Sequence, residues 1–174
     1  MALFDRLNRI ASSVGELIND DVRARLDLAE ALIGRGDPDA ALHELQQALE
    51  RRRDSARAHH LLGLCYLRRG RGGDLDEALA ALQQALALNP EAAETHSLLG
   101  ELRERRGEDD EAVDSYRAAL GLAAAGEQRA ALWRRVGRLY LRRGRLDKAV
   151  RELRKAAAEA PDDAEAQGLL GQAM

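Results

Sequence analysis

The sequence predicts an all-α solenoid in which helix-turn-helix units repeat along the chain. Three observations support this fold class. Only 3% of the 174 residues are aromatic and only three are proline, while Ala, Leu, Glu and Arg dominate, a composition that favours helices over strands. Glycines recur at intervals of 34 or 37 residues. Between them, apolar residues follow the periodicity of a helix, so each unit buries a stripe only by stacking on its neighbours.

The repeat is marked by two series of glycines. The first closes predicted helices and comprises Gly36, Gly70, Gly107 and Gly144. The second lies within helices and comprises Gly63, Gly100, Gly137 and Gly171. The longer intervals contain three extra residues, either Arg71-Gly72-Gly73 or part of the 123–129 segment. Both insertions fall in predicted loops, where added length costs little.

Apolar periodicity and the turn residues predict ten helices. Their expected bounds are 2–18, 21–34, 38–52, 56–69, 75–88, 91–106, 109–122, 127–143, 146–159 and 162–173. Pro90 and Pro161 follow two of these helices, and the residue before a proline avoids the helical region. We therefore expect each proline to mark the end of a repeat.

Composition and charge narrow the class of protein. A net charge of −3 gives no general attraction to nucleic acid. Cys65 is the single cysteine, so no internal disulfide can form. No apolar run reaches the ~18 residues of a membrane span, and the N-terminus lacks the apolar stretch of a signal peptide. We expect a bacterial cytoplasmic protein.

The four units carry the same residue types at matching positions. The second has His59, Leu62-Gly63, Tyr66, Ala78, Leu82, Ala85 and Pro90. The fourth has Trp133, Val136-Gly137, Tyr140, Ala149, Leu153, Ala156 and Pro161. The third has His96, Leu99-Gly100, Ala112, Tyr116 and Ala119, with Arg103 at the tyrosine position. The first has Leu28-Ala29, Leu32, Ala41, Leu45 and Ala48, with Arg53 at the proline position.

This pattern resembles that of the tetratricopeptide-repeat (TPR) family over residues 21–174. The resemblance implies a right-handed solenoid of four repeats and a partial fifth, with bounds of about 21–55, 56–92, 93–129, 130–163 and 164–174. Residues 1–20 then form a separate N-terminal amphipathic helix. Glycines 63, 100, 137 and 171, with Ala29, are expected where paired helices cross closely, so a bulky residue at Gly100 should cost roughly 1–3 kcal/mol.

The resemblance also implies function. TPR proteins are scaffolds or adaptors that bind a protein or peptide in a concave groove lined by the first helix of each pair. The corresponding positions here are Arg57, His60, Leu64, Arg68, Glu94, Ser97, Glu101, Glu104, Arg134, Arg138 and Arg142. Leu64, Glu101 and Arg138 stand where relatives that hold the carboxylate tails of heat-shock chaperones carry clamp asparagines. We therefore do not expect a chaperone-tail receptor.

Charge differs between neighbouring repeats. Residues 93–126 contain eight acids and four bases, whereas residues 130–163 contain five acids and ten bases. Arg134, Arg138 and Arg142 recur every four residues and so share one helical face. The split favours a two-signed groove that fixes the direction of a bound partner. Alternatively, the two patches neutralise each other, or both are solvated faces.

Residue types with catalytic or metal-binding chemistry are few. His59, His60, His96 and Cys65 lack zinc-site spacing, so packing roles are expected for the histidines and a buried, inert thiol for Cys65. The acidic run 108–111 lacks the ligand spacing of a calcium loop and is expected to cap a helix. No phosphate loop or Ser/His/Asp arrangement occurs. We expect neither enzymatic activity, nor a metal, nor a cofactor.

The first twenty residues carry one apolar helical stripe. Its members are Leu3, Phe4, Leu7, Ile10, Ala11, Val14, Leu17 and Ile18. Residues 1–10 resemble the opening of the phage-shock protein A family, whose amphipathic helix lies on anionic inner membranes. Three interpretations stay open: the helix folds back and caps the solenoid, it anchors the protein peripherally at the inner membrane, or it docks on another chain.

The last predicted helix exposes a stacking face that normally receives a partner helix. We expect either that the natural chain continues past Met174 or that this face mediates self-association.

Overall fold

The computed structural model describes the backbone of residues 2–174 and the side chains of residues 13–174. Over this range all regular structure is helical, which confirms the predicted fold class. The nine helices are α1 (Ala2–Gly34), α2 (Pro38–Arg51), α3 (Ala56–Arg69), α4 (Asp74–Leu88), α5 (Ala93–Arg106), α6 (Asp109–Leu122), α7 (Glu127–Arg142), α8 (Leu146–Glu159) and α9 (Ala164–Ala173).

The first helix differs from the prediction. The sequence pattern predicts separate helices over residues 2–18 and 21–34, but α1 is one continuous helix of 33 residues. Neither glycine nor proline occurs between Gly15 and Gly34, so no residue interrupts the backbone hydrogen bonds near position 20. Residues 2–18 therefore continue along the same helix as residues 21–34, which contradicts the interpretation that they fold back as a cap.

The chain divides into two compact units, Met1–Asn89 and Pro90–Met174. In the first unit α1 pairs with α2, α3 pairs with α4, and α2 packs on α3. The core between α1, α2 and α3 contains Leu26, Ala29, Leu45, Leu61 and Cys65, all buried. Leu26 and Ala29 come from the second half of α1, which therefore serves as the first helix of a repeat.

The second unit is built in the same way. Helices α5 and α6 form one pair and α7 and α8 another, while α6 packs on α7 and α8 on α9. Its core includes Tyr116, Leu132, Val136, Leu139 and Leu153. Within each unit, neighbouring pairs bury their stripes against each other, so the stacking there follows the apolar pattern of the sequence.

Three of the predicted glycine crossings are confirmed. A Cβ atom on Gly63 would lie 2.5 Å from the Leu82 side chain, and one on Gly137 would lie 2.6 Å from Leu153. A Cβ on Gly100 would lie equally close to the Tyr116 ring, at 2.5 Å. The prediction that Gly171 lies at such a crossing is not confirmed, because a Cβ there would meet nothing within 4 Å among the described residues.

The helix ends follow local sequence signals. Gly70 and Gly107 cap α3 and α5 in the left-handed conformation, with φ of 66° and 77°, which glycine adopts without steric cost. Helices α4 and α8 end shortly before Pro90 and Pro161, as predicted. Among the described residues, no helix is both long enough and apolar enough to cross a bilayer.

Candidate protein-binding face

The predicted groove residues fall on the first helix of each pair, and we call them the first-helix face. In the first unit these are Arg57, His60, Leu64 and Arg68, all on α3. In the second unit they are Glu94, Ser97, Glu101 and Glu104 on α5, and Arg134, Arg138 and Arg142 on α7.

On the first unit, the face contains ion-paired and solvent-exposed positions. The Arg57 guanidinium binds Asp27 at 2.8 Å and Glu30 at 2.6 Å, both on α1. Leu64 is half-buried, as is His60, whereas Arg68 is exposed. The two ion pairs of Arg57 tie α3 to α1, while Leu64 and Arg68 line a cleft at the other end of the helix.

On the second unit, the arginines of α7 are engaged within the molecule. Arg134 binds Asp163 at 2.5 Å, and Arg142 binds Asp109. Arg138 lies 3.8 Å from a Glu104 carboxylate oxygen. Arg138 and Arg142 thus face acids of the segment 93–126, which supports the interpretation that the acidic and basic patches neutralise each other. The partner of Arg134, Asp163, belongs to the basic segment itself.

The acids of α5 are engaged as well. Glu94 accepts a hydrogen bond from Gln128 at 3.2 Å. Glu101 binds Arg105 at 2.8 Å and lies 3.5 Å from Arg135. The charged part of the face is thus a network of polar contacts that joins α5 to α7.

A buried tyrosine links this network to the second helices. The Tyr116 hydroxyl donates to Glu104 at 2.6 Å and accepts from Arg135 at 3.1 Å. The Arg135 guanidinium also lies 5.6 Å from the centre of the Tyr116 ring. Burial, together with the hydrogen bond to Glu104, raises the pKa of Tyr116. The repeat pattern predicts packing alone for Tyr116 and misses its polar role; the signal was a tyrosine where the other repeats have leucine.

Arg103 stands where the repeat pattern expects tyrosine. Its guanidinium donates to the Ser115 hydroxyl at 2.7 Å and to the Glu111 carbonyl at 3.1 Å. Ser115 is buried on α6 and also donates to the same Glu111 carbonyl. Arginine therefore joins α5 to α6 by hydrogen bonds in place of an aromatic contact.

A second buried polar cluster surrounds Asp74, at the insertion between α3 and α4. Arg69 donates to both Asp74 carboxylate oxygens, at 2.9 and 2.5 Å, and the Arg71 backbone N–H donates at 2.8 Å. The Arg69 hydrogen bonds lower the Asp74 pKa to about 2. The sequence pattern did not predict this cluster, although the extra residues before Asp74 marked the loop as unusual.

The histidines have hydrogen-bonding roles beyond the predicted packing. The His59 ring donates to the Arg53 carbonyl at 3.0 Å, and the His96 ring donates to the Pro90 carbonyl at 2.9 Å. Each bond ties the start of a first helix to the loop before it. In the described part of the chain, no group of three or more His, Cys, Asp and Glu side chains is arranged to hold a metal ion.

The prediction for Cys65 is confirmed as far as burial is concerned. The side chain is fully buried, and its thiol donates to the Pro38 carbonyl at 3.0 Å. Burial raises the Cys65 pKa to about 11, which disfavours the reactive thiolate.

The acidic run 108–111 opens α6, as predicted, and places three acids in its first turn, but it forms no side-chain capping hydrogen bond. Glu108 occupies the N-cap position, but its side chain makes no capping hydrogen bond. Asp109 and Asp110 bind Arg142 and Arg143 at the end of α7. Pairing with the neighbouring repeat outweighs local capping here, because each arginine supplies a full positive charge to the carboxylate.

The predicted N-terminal face is only partly described. Leu3, Phe4, Leu7 and Ile10 lie outside the residues whose side chains the structure describes. Val14 and Leu17 are 48% and 70% exposed. Ile18 packs against the core of the first unit, so it belongs to that core and not to a free face.

Comparison with known proteins assigns the family. The family model described as Tetratricopeptide repeat matches residues 26–74 and 70–130, and a second model of the same description matches residues 130–173. This chain belongs to the TPR family. No curated protein sequence matches the chain significantly.

Solved structures share the fold. PilF of Pseudomonas aeruginosa superposes with a TM-score of 0.80 at 18% identity, covering 90% of this chain and 68% of PilF. The TPR protein TTC0263 of Thermus thermophilus gives 0.73 at 25% identity, covering 97% and 95%. A chain of the APC/C hetero-tetramer Cut9–Hcn1 gives 0.75 at 22% identity, covering 86% of this chain and 29% of that one.

Proposed function

We propose that this TPR chain is a non-catalytic scaffold that binds a protein or peptide partner through the first-helix face. The proposal rests on a difference between two sets of residues in each repeat, those that pack the helices together and those that stay exposed on the first helix. The residues that define the repeat are occupied in packing, as at Gly63–Leu82 and Gly137–Leu153. The side chains that differ between repeats, such as Leu64 and Ser97, remain half-exposed on the first helices. A surface that varies over a constant framework suits recognition of a particular partner.

The solved structures of the same fold are compatible with a role in assembly. One of them belongs to the APC/C hetero-tetramer Cut9–Hcn1, in which chains of two kinds associate. A fold alone does not define a partner, because one architecture serves many functions. For this chain the proposal therefore rests on the residues of its first-helix face. Its test must show which helix a bound partner contacts.

Site-specific photocrosslinking provides that test. A benzoylphenylalanine at Ser97 on α5 samples the first-helix face, while one at the exposed Ala118 on α6 samples the second helix of the same pair. We expect discrete crosslinked partners, identified by mass spectrometry, from position 97 and not from position 118. Crosslinks that come equally from both positions, or only from Ala118, would contradict the proposal.

A second candidate function is peripheral membrane association through the N-terminal half of α1. The specific observation in its favour is that Val14 and Leu17, one turn apart, are exposed at 48% and 70% on a helix that runs unbroken from Ala2. An exposed apolar stripe can insert at the level of the lipid headgroups.

Flotation with anionic vesicles tests this candidate. Val14→Asp with Leu17→Asp should abolish flotation of the full chain. Ser13→Asp with Asn19→Asp adds the same charge at exposed polar positions of the same helix and should reduce flotation far less. Equal loss in both variants would show simple charge repulsion, and no flotation of the unmodified chain would exclude the membrane role.

A further inference from the structure

We infer that a cleft in the first unit binds an acidic segment of a protein partner, with Arg35 and Arg68 as the residues that contact its carboxylates. The inference rests on the proposed function and names the chemistry of the partner. It follows from the shape of the cleft, from the pairing of its charges and from the loop that builds one of its walls.

The cleft lies where the end of α1, the start of α2 and the end of α3 meet. Its volume is about 830 Å³, which is enough to hold several side chains of an extended peptide. Ile33, Pro38 and Leu64 provide half-buried apolar surface. Arg35 and Arg68 also line the cleft, and both are exposed. A cleft lined by both apolar side chains and exposed cations fits a peptide in which acidic residues flank an apolar one.

The acids that line the cleft are already engaged. Glu30 accepts a charged hydrogen bond from Arg57 at 2.6 Å. Asp39 binds Arg71 at 2.6 Å and lies 3.4 Å from Arg69. These pairs leave the cleft with cations in excess.

Arg35 and Arg68 supply that excess. Within residues 13–174, neither guanidinium has a hydrogen-bond or ion-pair partner. An incoming carboxylate therefore gains a charge-assisted hydrogen bond from each without displacing an internal acid. The charge complementarity favours an acidic segment over a basic or neutral one.

The insertion between α3 and α4 holds one wall of the cleft in place. Arg71, the first inserted residue, makes a two-pronged contact with Asp39, at 3.1 and 2.6 Å. Its backbone N–H and the Arg69 side chain are both fixed by the buried Asp74 carboxylate. Since these groups are ordered before a partner arrives, binding loses less entropy in arranging this wall.

The second unit differs in the pairing of its arginines. Its face arginines, such as Arg134 and Arg142, bind carboxylates elsewhere in the same unit. A carboxylate of a partner would have to replace those internal ion pairs. Exchanging one ion pair for another contributes little to the free energy of binding. The first-unit cleft, with its two uncompensated cations, is therefore the better site for an acidic segment.

The test uses fluorescence anisotropy of the full chain at low ionic strength. Three labelled peptides of equal length carry the same leucines and differ only in having Glu, Gln or Lys between them. We expect the Glu peptide to bind most tightly, and Arg35→Gln with Arg68→Gln to weaken its binding by about tenfold. Arg51→Gln with Arg53→Gln removes the same charge from exposed arginines outside the cleft and should change affinity by less than about twofold.

Two results would overturn the inference: equal weakening in both double variants, or an unmodified chain that binds the Glu peptide no better than the Gln peptide. Because the four substituted side chains are exposed, circular dichroism should show unchanged helicity. The crosslinking at Ser97 is independent of these arginines. A failure confined to the peptides therefore removes the acidic specificity and leaves the scaffold proposal standing, whereas absence of crosslinks from Ser97 counts against the scaffold itself.

Discussion

Gly100 and Tyr116 are packed so closely that a Cβ atom on the glycine would lie 2.5 Å from the tyrosine ring carbon Cε1. The ring lies over the glycine of the facing helix and carries its hydroxyl on to Glu104, 2.6 Å away. One contact thus fixes both the separation of α5 and α6 and the polar network beside it.

Gly100→Ala should destabilise the chain by roughly 1–3 kcal/mol, because the added methyl group forces the Tyr116 ring out of its position. Gly171→Ala is the matched control at the same repeat position, where a Cβ meets nothing within 4 Å. Alanine is the better helix former, so the control should be neutral or slightly stabilising. Urea unfolding measures both; equal effects would contradict the packing account.

Tyr116→Phe should cost about 1 kcal/mol, since Glu104 and Arg135 each lose a hydrogen-bond partner while the ring stays. The Tyr116 pKa is raised in the folded state. The unfolded chain therefore releases this proton first as pH rises past about 10, and folding stability falls there. The variant should lose that part of the alkaline pH dependence. An unchanged slope of stability against pH would show that Tyr116 titrates normally.

Asp74 should contribute to acid unfolding. Its pKa is lowered to about 2 from 3.8, chiefly by the Arg69 hydrogen bonds. Between about pH 4 and pH 2 the unfolded state binds more protons, so stability that is present above pH 4 is lost as pH falls through this window. Asp74→Asn should lower the free energy of unfolding near neutral pH by roughly 1–2 kcal/mol, measured by urea unfolding. The variant's stability should also change less between pH 4 and pH 2. If the variant lost the same stability at every pH, so that its pH dependence matched that of the unmodified chain, the role of Asp74 in acid unfolding would be contradicted.

Besides lying on the first-helix face, Arg134 should stabilise the fold at the start of α9. It binds Asp163, whose carboxylate also accepts from the Ala166 N–H at the start of α9. Arg134→Gln should therefore loosen α9 and cost about 1 kcal/mol. Arg151→Gln, at an exposed position of α8, should be within about 0.5 kcal/mol of the unmodified chain. Amide hydrogen exchange of α9 distinguishes the two, and equal exchange would show that the ion pair is not structural.

Periodicity and glycine spacing were sufficient to predict the architecture. The roles of Gly63, Gly100 and Gly137 could be predicted from the repeat, because glycine has no side chain and so allows two crossing helices to approach closely. The bounds of α3 and α6 were predicted without error. Such features depend on residues close in sequence or on a constant repeat length.

The ion pairs could not be predicted in the same way. Arg134 and Asp163 are 29 residues apart, and several acids lie on neighbouring helices within reach of a flexible arginine side chain. The sequence left open whether the charged patches neutralise each other, since the choice depends on side-chain geometry. The continuity of α1 through Asn19 and Asp20 was missed because both residues are common at helix starts, although neither breaks a helix.

Hydrogen exchange with and without a crosslink-identified partner is the most direct test of the scaffold proposal. We predict that bound partner slows amide exchange in the first helices, at 56–69, 93–106 or 127–142, and leaves the second helices at 74–88, 109–122 and 146–159 close to their free rates. Protection confined to the second helices, or spread evenly over both sets, would contradict binding through the first-helix face.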